Sequence, residues 1–198
     1  MNKGVLLGAL LLASALLGAQ AGLSFEAERI DFSLRSTRDE ASLMEWEVRG
    51  VYSFSNCTEQ SLHQLIAFPI PAGDGLCTYT DLVLNKSEGD PEASCELISK
   101  SEKGISFGLS LPPLSFISIL ISYRQRVTGK TASYILQTAN SWAQPLPSAI
   151  YSLYVENGIE LKSISLTDPL ILNSRTGIYY FWEFRNYRPE QDFVLHLK

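Results

Sequence analysis

Apolar and polar residues alternate with a period of two along most of this chain. Trp46, Val48, Gly50, Tyr52 and Phe54 alternate with Glu45, Glu47, Arg49 and Ser53, with Val51 the exception. Ile105, Phe107, Leu109 and Leu111 alternate with Ser106, Gly108 and Ser110, and Ile117, Ile119, Ile121 and Tyr123 alternate with Ser118 and Ser122. Ile178, Tyr180, Trp182 and Phe184 alternate with Tyr179, Phe181, Glu183 and Arg185. Successive side chains of an extended chain point to opposite faces, so this pattern predicts half-buried strands. The β-branched and aromatic residues that fill it suit a pleated surface.

Eight further runs, 23–34, 62–68, 78–85, 94–99, 132–137, 149–156, 159–166 and 191–197, bring the expected total to about a dozen strands. Turn residues separate them: Ala72-Gly73-Asp74-Gly75, Glu88-Gly89-Asp90-Pro91, Pro112-Pro113, Thr128-Gly129-Lys130, Asn157-Gly158 and Thr176-Gly177. Asn157-Gly158 between two apolar runs predicts a type I′ hairpin, which needs positive φ at both central residues. A helical turn is expected at most over 35–44. Short strands at this spacing predict an all-β protein, an antiparallel β-sandwich. Ala139 to Pro147, broken by Asn140, Pro145 and Pro147, reads either as a seam between subdomains or as a crossover between sheets. A single sandwich over 22–198 is the expected arrangement.

The first 21 residues follow a different pattern. Lys3 is followed by an apolar run from Val5 to Gly18 and then by Ala19-Gln20-Ala21, the layout of a secretory signal peptide. The run is shorter than the ~18 residues that span a hydrocarbon core, so no stable membrane anchor is expected. The mature chain then starts near Gly22 in the periplasm or outside the cell. The formal charge is −5; removing Lys3 and no acid makes it −6. A mildly acidic chain offers no basic stripe for nucleic acid and no polybasic patch for anionic lipid. In an oxidising compartment one disulfide among Cys57, Cys77 and Cys95 is expected, with Cys77–Cys95 favoured because they flank a segment that reads as a hairpin. Three free, buried thiols are the competing reading.

Some short blocks resemble known proteins. Phe54-Ser55-Asn56, a polar loop and a strand ending in Phe68-Pro69-Ile70-Pro71 resemble the N-terminal β domain of vault and inter-α-trypsin-inhibitor-like proteins. There a strand ends at an Asn-containing turn and its partner finishes in Phe-Pro-x-Pro. Tyr134-Ile135-Leu136-Gln137-Thr138 with Trp142 and Pro145 is similar to secreted bacterial proteins of uncharacterised function, as is Trp182-Glu183-Phe184-Arg185-Asn186 with Pro189 and Asp192. The resemblance implies a β-sandwich fold and export, and transfers no catalytic residue.

Reactive constellations are few. Gly104-Ile105-Ser106-Phe107-Gly108 has the letters of a nucleophile elbow, but that motif needs a strand-to-helix turn and Ser106 lies inside an alternating strand. Only His63 and His196 could serve it as base, and neither belongs to a recognisable motif. Cys57 with His63 reads as a turn cysteine and a strand histidine rather than a thiolate pair. Asp39-Glu40 gives no dyad. Glu88, Asp90 and Glu92 lack the ligand ladder of a calcium loop. No metal site and no cofactor are expected. Asn56-Cys57-Thr58 and Asn85-Lys86-Ser87 fit the glycosylation sequon. Tyr179 and Phe181 alternate against Tyr180 and Trp182, so both faces of that strand carry aromatics. Either a second layer covers the outer face or that face meets a protein or glycan. Trp142, in its Pro-rich loop, reads as a plug over one end of the sandwich or as an exposed contact.

These readings converge on an exported, non-catalytic β-sandwich protein with a binding or structural role in the envelope or outside the cell. The alternatives are an exported hydrolase with a constellation not visible in sequence and a glycan- or peptide-recognition module. Trp142, Tyr179 and Phe181 are its candidate contacts.

Overall fold

The computed structural model describes residues 22–37, 43–73 and 75–198. The leader-like segment 1–21, Asp39-Glu40 and Asp74 lie outside the described residues. Thirteen strands follow one another: β1 (Leu23–Ser36), β2 (Met44–Asn56), β3 (Leu62–Pro69), β4 (Thr80–Gly89), β5 (Ser94–Ser101), β6 (Gly104–Leu111) and β7 (Phe116–Val127), then β8 (Thr131–Tyr134), β9 (Leu146–Glu156), β10 (Leu161–Ile164), β11 (Leu170–Asn173), β12 (Gly177–Tyr187) and β13 (Phe193–Leu197). A short 3₁₀ turn, Gln137–Ser141, precedes β9.

The strands form an all-β sandwich. A seven-stranded sheet runs β11-β12-β9-β1-β2-β7-β4, and two three-stranded sheets, β3-β6-β5 and β10-β13-β8, pack against it. Pairing is antiparallel throughout except between β1 and β9, which run parallel. Each predicted run is a strand, and the phase of its alternation sets its inner face. Ile30, Phe32 and Leu34 of β1, Trp46 and Val48 of β2, and Ile117, Ile119 and Ile121 of β7 are buried against Phe107 and Leu109 of β6 and Phe193 and Leu195 of β13. Phe32 stacks between Trp46 at 5.1 Å and Phe193 at 4.5 Å, while Tyr52 meets Phe68 edge-on at 5.4 Å. These rings tie the large sheet to both small ones. Gly50 breaks the run of large inner residues because a Cβ there would lie 2.2 Å from the Tyr52 hydroxyl.

The structure corrects two expectations. Asn157-Gly158 does not close a hairpin. Ile159 N–H donates to the Glu156 carbonyl at 3.2 Å, and of the two central residues only Gly158 has positive φ, as in a type II turn. Both edges of β9 are already taken, by β1 and β12, so β10 passes to the other layer and pairs with β13.

Cys77 and Cys95 are not bridged, and Cys57 is also free. The segment between Cys77 and Cys95 is no hairpin, because β4 joins β7 in the large sheet while β5 joins β6 in a small one. Cys77 N–H bonds to the Arg126 carbonyl at one end of β4, and Cys95 follows the turn beyond Gly89 at the other end. A strand of that length separates them by more than ~20 Å, far beyond the ~7 Å Cα limit of a disulfide. At the segment 35–44, β1 and β2 are antiparallel neighbours and Thr37 N–H donates to the Leu43 carbonyl at 2.9 Å; the helical turn expected there falls on 38–42, which lie outside the described residues.

The Phe54-Ser55-Asn56 and Phe68-Pro69-Ile70-Pro71 blocks sit where strands end. β2 ends at Asn56 and β3 at Pro69, but the two strands lie in opposite layers rather than side by side. Asn56 is buried and fully engaged. Its amide N–H groups donate to the carbonyls of Gln60 and Pro112, both at 2.7 Å, and its Oδ1 accepts from Thr58 N–H at 2.9 Å and Thr58 Oγ1 at 2.8 Å. One asparagine therefore holds the ends of two loops together. The segment from Ala139 to Pro147 carries the chain from β8 in a small sheet to β9 in the large one.

Candidate functional site

The outer face of the large sheet divides into two regions. Over β1, β2 and β7 it is charged: Arg124 faces Glu47 at 3.4 Å and Glu45 at 3.8 Å, and Arg29 faces Asp31 at 3.9 Å. Over β11 and the adjoining ends of β12 and β9 it is apolar, giving way further along β12 to the exposed Glu183–Arg185 ion pair. Register places Leu172, Tyr179 and Tyr154 in one cross-strand row, and Leu170, Phe181 and Ser152 in the next. Tyr179 and Phe181 stack at 6.1 Å with their planes 11° apart, and Tyr179 leans on Tyr154 at 4.9 Å. The Arg35 guanidinium sits 5.0 Å from the Tyr154 ring centre, and the Tyr154 hydroxyl donates to the Thr176 carbonyl at 2.8 Å. Relative exposures of 37 % at Tyr179, 64 % at Leu170 and 51 % at Leu172 show that no second layer covers this face.

The row ends at β11, the edge of the sheet. Ser174 N–H donates to the Gly177 carbonyl at 2.8 Å, so Leu172 and Leu170 are the residues that bond to β12. Ile171 and Asn173 therefore turn their N–H and C=O groups outward, and no described residue bonds to them. Gly177 lets the hairpin approach β9 closely, since a Cβ there would lie 2.2 Å from the Val155 carbonyl oxygen.

Beneath this face, between the layers, lies a buried acid among phenols. Glu28 of β1 is 6 % exposed and accepts a short hydrogen bond from the Tyr151 hydroxyl. Desolvation pushes its carboxyl up from 4.5 to about 7, against the lowering effect of that hydrogen bond. The hydroxyls of Tyr52 and Tyr134 share a hydrogen bond at 2.7 Å across the layers, and burial together with nearby Glu28 raises both phenols. Tyr187 is pushed up to about 12 by burial and then by Glu28. The carboxyl is buried and lines neither of the two grooves described below, so this cluster lies in the interior.

The remaining candidates are dispersed. Trp142 is half-buried over Phe25 at 5.5 Å and Phe54 at 5.7 Å, closing one end of the sandwich. It shares a groove of about 220 Å³ with Cys57, Pro145 and Pro147. Cys77 lines a wider, shallow groove of about 740 Å³ with Ile70, Leu76 and Lys103. Burial raises the Cys95 thiol, opposed by Lys86. Neither groove includes a histidine.

Ser106 lies mid-strand on β6 opposite Ala67 and Ser99, whereas His63 reaches Ser110 at 2.9 Å and His196 reaches Thr131 at 3.5 Å in the other small sheet. Among the described residues Ser106 thus has no base, and the exposed His63–Ser110 pair has no carboxylate partner to orient it. In the acidic loop, Asp90 caps the Glu92 N–H at 2.9 Å, and the Lys86 ammonium takes the carbonyls of Asp90 and Ala93. Among the described residues no three His, Cys, Asp or Glu side chains stand together as metal ligands.

No family model matches the chain, and no curated protein matches it. Solved structures do. A crystal structure from Legionella pneumophila, of a protein provisionally named a nutrient binding protein, superposes with a TM-score of 0.68 at 17 % identity, over 89 % of this chain and 67 % of that one. A provisionally named protease from Parabacteroides distasonis aligns with a TM-score of 0.46 at 11 % identity, over 90 % of this chain but only 41 % of that one. The first likeness establishes the fold.

Proposed function

We propose that this is an exported, non-catalytic binding protein that engages a polypeptide partner through the outer face of β9, β12 and β11. The observation that carries the reading is the solvent-facing cluster of Tyr179, Phe181, Leu170 and Leu172 on an otherwise charged sheet face. Contiguous apolar surface of this kind marks interaction sites. The Lys3, apolar-run and Ala19-Gln20-Ala21 layout supports export. The provisional name of the Legionella neighbour is consistent with a binding role. Exposed Leu170 and Leu172 flank the two rings, and this mix of aliphatic and aromatic side chains suits apolar side chains of a polypeptide better than sugars.

Site-specific photo-crosslinking in the producing cells tests this. A benzophenone side chain at Tyr179 is expected to give an adduct with another protein, and one at Arg49, on the charged region, is not. Phe181→Ala should reduce the adduct several-fold. Equal labelling from both positions, or no adduct at Tyr179, would overturn the reading. An adduct of the chain with itself alone would reassign the face to self-association.

A further inference from the structure

We infer that two copies of this chain pair antiparallel along β11, about a two-fold axis through Leu172, joining their large sheets into one. The inference stands on the strand edge and does not require the partner reading above. An edge strand presents unpaired N–H and C=O groups, and proteins usually blunt it with charges, proline or bulges. At the opposite edge of the same sheet β4 does this: its pairing with β7 is interrupted by two register shifts, and it carries Asp81, Lys86 and Glu88. β11 has the sequence Leu-Ile-Leu-Asn, pairs with β12 without interruption, and bears no charge.

The outward groups fix the register. Only Ile171 and Asn173 face away from β12, so a second strand must set outward residues opposite outward residues. An axis through Leu172 does so twice, Ile171 of each copy exchanging hydrogen bonds with Asn173 of the other. Moving the axis to Ile171 would place Pro169, which has no N–H, opposite Asn173. The charges beyond the ends of the strand are compatible with this pairing. Asp168 and Arg175 flank the strand, both exposed, and neither forms an ion pair among the described residues. An axis through Leu172 sets Arg175 of one copy opposite Pro169 of the other, one position along from Asp168, twice by symmetry. The same axis sets Leu172 against its own copy and makes the apolar faces of both copies continuous.

A short edge makes a small contact, so dimers dissociating in the range of about 1–100 μM are expected. Sedimentation velocity of the mature chain across that range reads this directly. Ile171→Pro removes an outward N–H that β12 does not use, so it should abolish the dimer while leaving thermal unfolding of the monomer unchanged. Arg175→Asp sets like charges across the axis and should weaken pairing about tenfold at low salt, less at high salt. Adding Asp168→Asn to it, a residue that tolerates the positive φ found there, should recover part of the loss. A wild-type chain that remains monomeric at about 0.1 mM would overturn the inference. So would a dimer that survives Ile171→Pro in a variant of native stability, because pairing would then lie elsewhere.

Discussion

At the residue scale, Glu28 and Asn56 have the sharpest consequences. The carboxyl of Glu28 holds its proton up to about pH 7 in the folded chain, against 4.5 in its ordinary state. Its contribution to stability is therefore fully present below about 4.5 and is lost as pH rises through 7, on the order of 3 kcal/mol across that window. Glu28→Gln should remove this component. Urea unfolding of both proteins from pH 4.5 to 8 is expected to show wild type losing stability relative to the variant as pH rises; parallel curves would place the ionised carboxylate in a better environment than its burial suggests. Asn56 joins two loops through at least four hydrogen bonds made inside the protein. Asn56→Ala should cost about 3 kcal/mol in denaturant unfolding, since several buried groups lose partners together. For the same reason Asn56 should stay unmodified in a glycosylating host, while exposed Asn85 is open to modification; glycopeptide mapping separates the two sites. The inward direction of Glu28 was legible in principle. Extending the phase of Ile30, Phe32 and Leu34 backwards puts it inside, but the register shift between Phe25 and Ala27 hides this by setting Phe25 inward too.

At the element scale, the strands were readable wherever one face is buried and the other wet, because alternation records that asymmetry. β11 was not readable, since Leu170-Ile171-Leu172 follows a proline, shows no alternation and is exposed on both faces. The edge on which the interaction surface depends is thus the strand with the weakest pattern. Asn157-Gly158 marked a turn correctly but not its partner strands, because competition for the edges of β9 is decided by residues far away in sequence. The Tyr179 and Phe181 pattern allowed either burial or display, and the answer rests on where the second layer stops, which no local period encodes. The hairpin of β11 and β12 gives its own prediction. Gly177→Ala would drive a methyl group into the Val155 carbonyl and the Tyr154 ring, so it should cost about 2–3 kcal/mol and loosen β12 from β9. Hydrogen exchange at the amides of Ile178 and Tyr180 should accelerate more than at Ile119; uniform acceleration would mean that the hairpin does not move on its own.

At the scale of the whole molecule, the thiols report on the layering. Cys77 and Cys95 belong to strands that diverge into different layers, so non-reducing peptide mapping of the mature chain should find no link between them. Such a link would mean that β4 and β5 lie side by side. Exposed Cys57 should be the first of the three to react with an alkylating reagent. The parallel contact of β1 with β9 has a broader effect. It joins residues about 120 positions apart near the middle of the largest sheet, so it carries a high contact order and slow closure. Until β9 arrives, the flank of β1 opposite β2 is a bare template. A nascent chain that stops before residue 146 would keep that flank available to any passing strand, and premature termination should yield aggregates rather than a smaller soluble sandwich.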